Sequence, residues 1–221
     1  MLQALRPVPS LTERDFLTAC YHLPMDRSSG YEAVSAEFLA YRGNGSTRST
    51  AIGVKEVRKW AMTLPRNGSV IDLGCGPGLP ITVVLVEEGL RVFGIDAAPS
   101  FVAAFQRNLP DTPILCEAVQ ESRFFNRTFD AVLAIGLMFL LKTEDQYNLI
   151  RRFAEILSPG GRLLFTAPSK PAVWKDAMTG LESISLGAER YRELLRAAGL
   201  SVAKEYEDAG ENHYFDAFKE Q

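Results

Sequence analysis

Two acidic residues and three glycines at alternate positions form a pattern that could bind a small charged ligand. Asp72 is followed by Gly74, Gly76 and Gly78, and a helix is predicted to start just after them. Because glycine has no side chain, a ligand can approach the backbone of this loop closely. The helix start would direct unpaired N–H groups at an anionic group. Asp96 lies eighteen residues beyond Gly78, at the end of the next predicted strand.

The placement of these acids predicts a nucleoside site. In a doubly wound sheet, a carboxylate at the end of the second strand lies beside the glycine loop and can accept hydrogen bonds from both ribose hydroxyls. The dinucleotide fingerprint G-x-G-x-x-G is not met, because Leu79 stands where its third glycine is expected. Asp72 would repel a pyrophosphate. It would suit a ligand with an ammonium group, such as the methionyl end of S-adenosylmethionine.

The elements that position these residues are predicted from residue 69 onward, where short apolar runs alternate with longer amphipathic segments. This alternation indicates βαβ units and a parallel sheet. Strands are predicted at 70–73, 91–95, 113–116, 129–135 and 162–167, followed by an antiparallel hairpin of 201–206 and 213–218. The predicted fold class is therefore α/β: a doubly wound, mostly parallel, seven-stranded sheet with an antiparallel C-terminal strand.

Two helices are predicted before the sheet, at 31–41 and 54–64, from apolar residues at helical spacing. Thr143 and Gln146 have the capping-box spacing at the start of a later helix that runs to Leu157. The segment 169–187 is long and has no period, which is typical of functional loops. We expect it to cover the substrate.

The chain is expected to form one domain. Its 221 residues are 47% hydrophobic, enough for one core that buries about 70% of the surface exposed by the unfolded chain. Within that domain, residues 1–66 are predicted to form a helical cap over the cofactor site, and residues 67–221 the α/β core. No internal repeat or second domain is indicated.

Charge and cysteine content exclude several partners and locations. The net charge of −3 and the pI of about 5.5 give no positive field for phosphate backbones, so no nucleic acid partner is expected. Three widely spaced cysteines and two histidines predict neither a disulfide framework nor a metal site. No apolar run is long enough for a signal segment or a membrane span. A cytoplasmic location is expected, and nothing in the sequence indicates an oligomeric state.

From about Tyr31 to the C-terminus, the sequence resembles the class I S-adenosylmethionine-dependent methyltransferases. It is most similar to their small-molecule group, often called type 11 or type 25. The resemblance rests on the glycine loop with its two acids, on the turn at 157–162 and on the terminal hairpin. It implies a Rossmann-like methyltransferase fold, S-adenosyl-L-methionine as the cofactor and S-adenosyl-L-homocysteine as the product.

The resemblance also implies which residues bind the cofactor. Asp72 and the glycine loop would line the methionyl part, Asp96 would bind the ribose, and the stretch after the third strand would hold the adenine. The end of the fourth strand would pass beside the methionyl group, and Tyr31 would reach the cofactor from the N-terminal helices. The full set is Asp72, Gly74, Cys75, Gly76, Gly78, Asp96, Ala97, Val119, Gln120, Ala134, Leu137 and Tyr31.

The implied reaction is methyl transfer by in-line displacement to an oxygen or nitrogen nucleophile of a small molecule. Aligning the two reactants and excluding water can supply most of the catalysis. The segment 135–139 reads Ile-Gly-Leu-Met-Phe, unlike the Asn/Asp-Pro-Pro-Tyr/Phe motif of enzymes that methylate exocyclic or amide nitrogens. No Pro-Cys nucleophile and no magnesium-binding acidic cluster is present. Those subclasses are therefore disfavoured.

Four residues are candidates for work on the methyl acceptor. His213 follows the turn that enters the last strand from the ligand side of the sheet, so it is the candidate general base. The competing interpretation is a histidine that only forms hydrogen bonds in the hairpin. Trp174, Met178 and Tyr214 are candidate substrate contacts. For Trp174 and Met178, packing in a core or in the covering segment is equally compatible with the sequence.

Two other functions remain compatible with the motifs. A non-catalytic or differently reactive S-adenosylmethionine-binding protein would keep the same cofactor loop and lack a productive acceptor pocket. An NAD-dependent oxidoreductase would share the strand, loop, helix and acid. The missing third glycine and the presence of Asp72 argue against the oxidoreductase.

Overall fold

A computed structural model describes residues 27–42 and 53–220 of the chain. Predictions that concern residues 1–26 and 43–52 lie outside this range, so the expected cap at 1–66 is described only in part. None of the described helices is long and apolar enough to cross a membrane.

The main sheet has seven strands in the order β3-β2-β1-β4-β5-β9-β8. β9 runs antiparallel to both its neighbours, and the other pairs are parallel. The predicted fold class is confirmed. The strands are β1 Ser69–Leu73, β2 Arg91–Asp96, β3 Ile114–Cys116, β4 Phe129–Ala134, β5 Leu157–Thr166, β6 Ala172–Lys175, β7 Glu182–Ser185, β8 Leu200–Glu207 and β9 His213–Lys219.

β5 starts earlier than the sequence indicated. Leu157 already pairs with Phe129 of β4, and Arg162 then pairs with Ala131. The residues between, 158–161, form an irregularity within the strand. A turn-forming sequence was therefore correctly recognised, but it interrupts the strand and does not precede it.

Six α-helices of the described residues surround the sheet, and the helices predicted at 31–41, at 54–64, after the glycine loop and before Leu157 are confirmed with shifted ends. The first begins at Ser35 because residues 31–34 form turns. Pro99 opens the fourth helix, where its missing N–H has no intrahelical partner in any case. The helices are α1 Ser35–Arg42, α2 Val54–Ala61, α3 Thr82–Glu87, α4 Pro99–Asn108, α5 Thr143–Ile156 and α6 Ala188–Ala197.

The core lies on both faces of the sheet. All five residues of β1 are buried, as expected for a parallel strand covered by helices on both sides. On one face, α5 and α6 pack over Phe165 and Phe215, whose rings stack with centroids 4.7 Å apart. On the other face, Val57 of α2 and Leu85 of α3 pack over β1 and β4.

The predicted capping box of α5 is wrong. Lys142 occupies the N-cap, and no side chain caps the helix. Gln146 is instead fully buried: its Nε2 donates to the carbonyls of Leu141 and Ile184 at 2.9 Å, and its Oε1 accepts from the Tyr191 hydroxyl at 2.6 Å. A buried amide needs partners. The spacing alone did not reveal that Gln146 faces the interior, where it joins α5 to β7 and α6.

The segment 169–187 is not an irregular loop. It contains the antiparallel pair β6 and β7, which forms a separate two-stranded sheet. Asp176 holds the connecting turn, because its Oδ1 accepts from the backbone N–H groups of Met178 and Thr179 at 3.0 and 2.8 Å. Strands of four residues are too short to show a clear sequence period, which explains why the segment read as unstructured.

Cysteine pairing is also not readable from the sequence. Cys75 is a buried free thiol, but Cys116 at the end of β3 is disulfide-bonded. Spacing along the chain carries no information on which distant sulfurs meet. Among residues 27–42 and 53–220, no group of three or more His, Cys, Asp or Glu side chains is arranged to hold a metal ion.

Candidate functional site

A cavity of about 430 Å³ lies over the carboxyl ends of the central strands. It is bounded by the glycine loop after β1, the ends of β2, β4 and β5, the segment at residues 27–31 and the β8–β9 turn. The strand order reverses between β1 and β4. Open α/β sheets bind their ligands at such a reversal.

The glycine loop turns back sharply at the end of β1. The backbone N–H groups of Gly74 and Cys75 both donate to the carbonyl of Ile95 at the end of β2, at 2.8 and 3.1 Å. Gly74 has a φ of 68°, which glycine adopts without strain. Gly74 and Cys75 line the cavity, as predicted for residues of the cofactor loop.

Gly76 and Gly78 have different environments. A Cβ atom on Gly76 would meet nothing within 4 Å, and Gly76 lines the cavity. A Cβ atom on Gly78 would lie 2.9 Å from both Leu109 and Phe105. Gly78 is not among the residues that line the cavity. The absence of a side chain at Gly78 permits close packing of the loop on α4, and its role in cofactor binding stays a prediction.

Asp72 lies in β1 beneath the loop and is 2% exposed. Its Oδ2 accepts a 2.7 Å hydrogen bond from the hydroxyl of Thr82 at the start of α3. Burial raises the pKa of Asp72 to about 7, even though the bond from Thr82 lowers it. A positively charged ligand group nearby would favour the ionised form.

Asp96 ties the end of β2 to the glycine loop. Its Oδ2 accepts from the N–H of Gly76 and its Oδ1 from the N–H of Ala98, both at 2.8 Å. Burial raises the pKa of Asp96 to about 6, against these hydrogen bonds. Each carboxylate oxygen can accept more than one hydrogen bond, so acceptor capacity remains. Asp96 and Ala97 line the cavity.

The stretch after β3 supplies an acid that the sequence analysis missed. Val119 and Gln120, which are predicted to contact the adenine, line the cavity, and Glu117 lines it with them. Glu117 Oε2 is buried and has no hydrogen-bond partner among the described residues. A buried hydrogen-bond acceptor without a partner lowers the stability by about 1–3 kcal/mol. A hydrogen bond from a ligand N–H group to this oxygen would therefore be favourable. The sequence feature that could have indicated Glu117 is an acidic residue directly after a strand. Asp96 has a similar position at the end of β2.

An unusual turn follows this stretch. Phe124, Phe125 and Asn126 have φ values of 48°, 57° and 53°. The left-handed conformation costs roughly 1–2 kcal/mol per residue for side chains other than glycine. Surrounding contacts must therefore hold the turn, and the guanidinium of Arg152 lies 4.2 Å from the centroid of the Phe124 ring.

The end of β4 also borders the cavity. Ile135, Gly136 and Leu137 line it, and the N–H of Gly136 donates to Thr166 Oγ1 at 2.8 Å. Ala134 is fully buried and does not line the cavity. Of the two residues predicted to contact the cofactor at this strand end, only Leu137 lines the cavity, and both assignments stay predictions.

Tyr31 lies over the cavity from the N-terminal side. Its ring packs against those of Phe38 and Phe101, and its hydroxyl donates to Asp176 Oδ2 at 3.4 Å. Glu32 fixes the same segment by accepting hydrogen bonds from the backbone and hydroxyl of Ser100. The segment is therefore joined both to α4 and to the β6–β7 hairpin.

Tyr214 lines the opposite end of the cavity. Its hydroxyl donates to Asp208 Oδ2 at 2.8 Å, and its ring stacks on that of Tyr206. Burial, together with the negative charge of Asp208, raises the pKa of Tyr214. Burial alone would raise the pKa of Asp208, but hydrogen bonds from Asn212, Tyr214 and the turn backbone lower it. Tyr214 thus stays protonated and Asp208 ionised at neutral pH.

Trp174 and Met178, the other predicted substrate contacts, do not line the cavity. Trp174 packs on Phe139, with ring centroids 5.6 Å apart, and Phe139 does line it. Met178 lies in the β6–β7 turn and is 38% exposed. The aromatic ring that faces the cavity is therefore Phe139, with Trp174 behind it.

His213 also lies outside the cavity. Its Nε2 is 3.1 Å from Glu205 and its Nδ1 is 3.3 Å from Glu207, while its ring packs on Phe215. Successive side chains along a strand point to opposite faces, so Tyr214 and His213 cannot both face the ligand. The hydrogen bonds of His213 are those expected for the hairpin interpretation, and its role as a general base stays a prediction.

These features define a class of protein: a Rossmann-like α/β fold with an acid at the end of each of the first two strands. Residues 70–161 match the family model of a methyltransferase domain, Methyltransf_25. This segment, which is less than half of the chain, is similar to that methyltransferase-domain family.

Curated relatives and solved structures agree with this assignment. The chain is 32% identical over 140 residues to the putative methyltransferase YqeM of Bacillus subtilis, a match that covers 59% of the chain and 56% of that protein. It is 28% identical over 148 residues to the ubiquinone biosynthesis O-methyltransferase of Xanthomonas axonopodis, which covers 62% and 61%. The chain therefore spans little more than half the length of these relatives.

One solved structure shows how far the fold likeness extends. The Burkholderia thailandensis 1,6-didemethyltoxoflavin-N1-methyltransferase, crystallised with its substrate and S-adenosylhomocysteine, superposes with a TM-score of 0.64 and 19% identity. The superposition covers 90% of this chain and 93% of that one. At this level of identity, the likeness establishes the shared fold.

Proposed function

We propose that this protein transfers a methyl group from S-adenosylmethionine to a small-molecule acceptor. The observation that carries the proposal is the set of acids at the ends of three adjacent strands. Asp72 of β1, Asp96 of β2 and Glu117 after β3 all line one cavity around the glycine loop. S-adenosylmethionine carries a sulfonium and an ammonium group, so this acidic wall suits it better than a pyrophosphate.

Each acid has a distinct role in the proposed complex. Asp96 accepts hydrogen bonds from the ribose hydroxyls while it keeps the glycine loop in place. Glu117 supplies its unpartnered oxygen to the amino group of the adenine, between the apolar contacts of Val119 and Leu137. Asp72 acts through its charge on the methionyl end, because its carboxylate is already bound to Thr82.

The proposed reaction depends on alignment and exclusion of water. S-adenosylmethionine supplies a methyl group bonded to a positively charged sulfur, which becomes the neutral thioether of the product. The chain holds the acceptor in line with that bond at the end of the cavity near Thr166 and Tyr214. The described lining contains no histidine. An acceptor that is already a good nucleophile, such as a neutral amine or a phenolate, fits this site best.

Two segments are proposed to cover the reactants. Residues 27–42 form the described part of the N-terminal cap, and the β6–β7 hairpin covers the acceptor side. Gly30 and Leu181 are in close contact, since a Cβ on Gly30 would lie 2.9 Å from Leu181 Cδ1. The hydrogen bond from Tyr31 to Asp176 joins the same two segments, which supports one continuous cover.

Small-molecule acceptors are supported by the printed names of the similar proteins. One relative is a ubiquinone biosynthesis O-methyltransferase, and one solved structure is a toxoflavin N1-methyltransferase. Both oxygen and nitrogen nucleophiles occur among them. The element of the acceptor atom in this chain is therefore part of what the experiment must determine.

The function is tested by measuring S-adenosylhomocysteine formation with panels of phenols, amines and carboxylic acids. We expect at least one panel to raise product formation above the acceptor-free rate. That increase should be lost in Asp96→Asn, which keeps the shape of the side chain and removes its charge. Tight binding of S-adenosylmethionine without transfer to any compound would favour a non-catalytic binding protein.

A further inference from the structure

The adenine side of the proposed cofactor site is a loop, residues 117–122, with few attachments to the sheet. At its start, the N–H of Glu117 donates to the carbonyl of Asp96 at 3.0 Å. Within it, the N–H groups of Glu121 and Ser122 close a turn on the carbonyl of Ala118. These bonds shape the loop internally, and only the first anchors it to a strand.

Side chains of the loop contact Asp145 and Arg27 through Gln120 and Glu121, whereas the backbone of the loop is bound by one side chain of α5. Arg152 Nη1 donates to the carbonyls of Val119 and Gln120 at 2.6 and 3.0 Å, and its Nη2 donates to the carbonyl of Ser122. Among the described residues, these three carbonyls have no other hydrogen-bond partner. Val119 and Gln120 face the cavity from the same loop. The guanidinium therefore holds the loop from the side opposite the ligand.

The same guanidinium contacts the strained turn that follows. It lies over the ring of Phe124, the first of three left-handed residues. The N–H of Phe124 donates to Ser122 Oγ at 2.9 Å, so the loop and the turn are directly linked. A backbone held in unfavourable conformations persists only when neighbouring contacts fix it. Arg152 provides such contacts on both sides of the link.

We propose that Arg152 is a positioning residue. It fixes the conformation of the loop 117–122, on the adenine side of the cofactor site, before the cofactor binds. This inference rests on the proposed function and deepens it. Arg152 does not line the cavity, so its effect on affinity would come entirely through the loop. A guanidinium presents several donors in a rigid fork, whereas a lysine ammonium cannot reach three carbonyls at once. Without the guanidinium, the loop would become ordered only when the ligand binds. The free-energy cost of that ordering would weaken binding.

The test is a calorimetric titration with S-adenosylhomocysteine and with adenosine on four proteins: wild type, Arg152→Met, Arg152→Lys and Arg151→Met. Arg151 is the matched control, because it is the exposed neighbour on the same helix and its guanidinium donates a hydrogen bond to Asn148 of that helix. We expect the dissociation constants of both ligands to rise about 10-fold in Arg152→Met. Arg152→Lys should recover part of the loss, and Arg151→Met should match the wild type.

Two further measurements separate positioning from general stability. Thermal unfolding of each variant gives its stability, and hydrogen exchange of the amides at 117–122 reports the loop locally. Faster exchange confined to this loop in Arg152→Lys, together with weaker binding, would support the proposal even if Arg152→Met does not fold. Dissociation constants equal to those of Arg151→Met would overturn it. Absence of binding by the wild type would overturn the proposed function itself.

Discussion

The two ends of the cavity differ in how their polar groups are satisfied. At the proposed nucleoside end, defined by Asp72, Asp96 and Glu117, burial raises the pKa of both aspartates, and Glu117 Oε2 has no hydrogen-bond partner in the described part of the chain. At the acceptor end, Tyr214 and Asp208 satisfy each other. A ligand with hydrogen-bond donors or positive charge would therefore satisfy the polar groups at the proposed nucleoside end, whereas Tyr214 and Asp208 at the proposed acceptor end are already paired.

This difference explains why a cofactor class can be inferred and an acceptor cannot. Hydrogen-bond acceptors that lack partners and lie at fixed positions indicate where a ligand must carry its hydrogen-bond donors. Polar groups that are already paired give no such information, so that part of the site indicates mainly the shape of its ligand. The acceptor end offers the aromatic ring of Phe139 and the aliphatic side chains of Ile81 and Ile135, which many compounds can contact.

The largest expected effect concerns the glycine loop, where packing and ligand approach can be separated. Gly78→Ala would force a Cβ against Leu109 and Phe105, and we expect a loss of about 3 kcal/mol in the free energy of unfolding. Gly76→Ala is the matched control with the same left-handed strain and open space, and should lose only about 1 kcal/mol. Urea denaturation measures both. Equal losses would contradict the assignment of Gly78 to packing.

The second prediction is a gain of stability at the expense of binding. Because burial raises the pKa of Asp72 from 3.8 to about 7, the ligand-free folded protein binds more protons than the unfolded chain between these pH values. Its stability therefore falls as the pH rises from about 4 to about 7. Asp72→Asn removes the buried charge and should stabilise the ligand-free protein by about 2 kcal/mol at pH 8.

The pH dependence provides the control for Asp72→Asn. At pH 4, where the wild-type carboxyl is protonated, the variant should gain almost nothing. At pH 8, the variant should also bind S-adenosylmethionine more weakly, since it has lost a negative charge near the methionyl end. Thermal unfolding at the two pH values and calorimetry at pH 8 test both parts. A variant that is destabilised at pH 8 would show that the ionised carboxylate stabilises the empty fold.

The third prediction addresses the acceptor end. Tyr214→Phe removes the hydroxyl that donates to Asp208, which should cost about 1–2 kcal/mol of stability because Asp208 loses a hydrogen bond to its charge. Affinity for S-adenosylmethionine should stay within about twofold, since the nucleoside end is intact. Calorimetry and thermal unfolding together check this. A large loss of cofactor affinity would mean that the two ends do not act separately.

The smallest expected effect is that of His213→Ala. His213 is mostly buried, and it contacts Glu205 and Glu207 on the face of β9 away from the cavity. A hydrogen bond of this kind contributes about 1 kcal/mol net. We expect little change in stability and none in cofactor affinity or in methyl-transfer rate, once an acceptor is known. A rate that falls strongly without loss of stability would restore the catalytic hypothesis.

Much of the fold could be predicted from the sequence because parallel strands and their helices leave local patterns. The strand ends that carry Asp72 and Asp96 were located to within one residue. The β6–β7 hairpin was missed because four-residue strands give no period. Gln146 was misassigned because its spacing fits a cap, whereas its partners Ile184 and Tyr191 come from distant parts of the chain.

The candidate site could be predicted only where its residues are close together in the sequence or lie at the ends of predicted strands. The glycine loop and its acids are adjacent in sequence or at strand ends, so their proximity followed from topology. His213 and Tyr214 are neighbours in sequence that face opposite sides of a strand, and which of them faces the ligand depends on register. Glu117 and Arg152 act through burial and through contacts with a distant loop, which no spacing pattern reports.

The most direct test of the central claim is a calorimetric titration of the wild-type protein and of Asp96→Asn with S-adenosylmethionine, with NAD as a parallel ligand. The account predicts saturable one-to-one binding of S-adenosylmethionine by the wild type. It predicts an affinity about 100-fold lower in the variant, because charge-assisted hydrogen bonds to the ribose are lost, and no comparable binding of NAD. Preference for NAD, or undiminished binding of S-adenosylmethionine by Asp96→Asn, would contradict it.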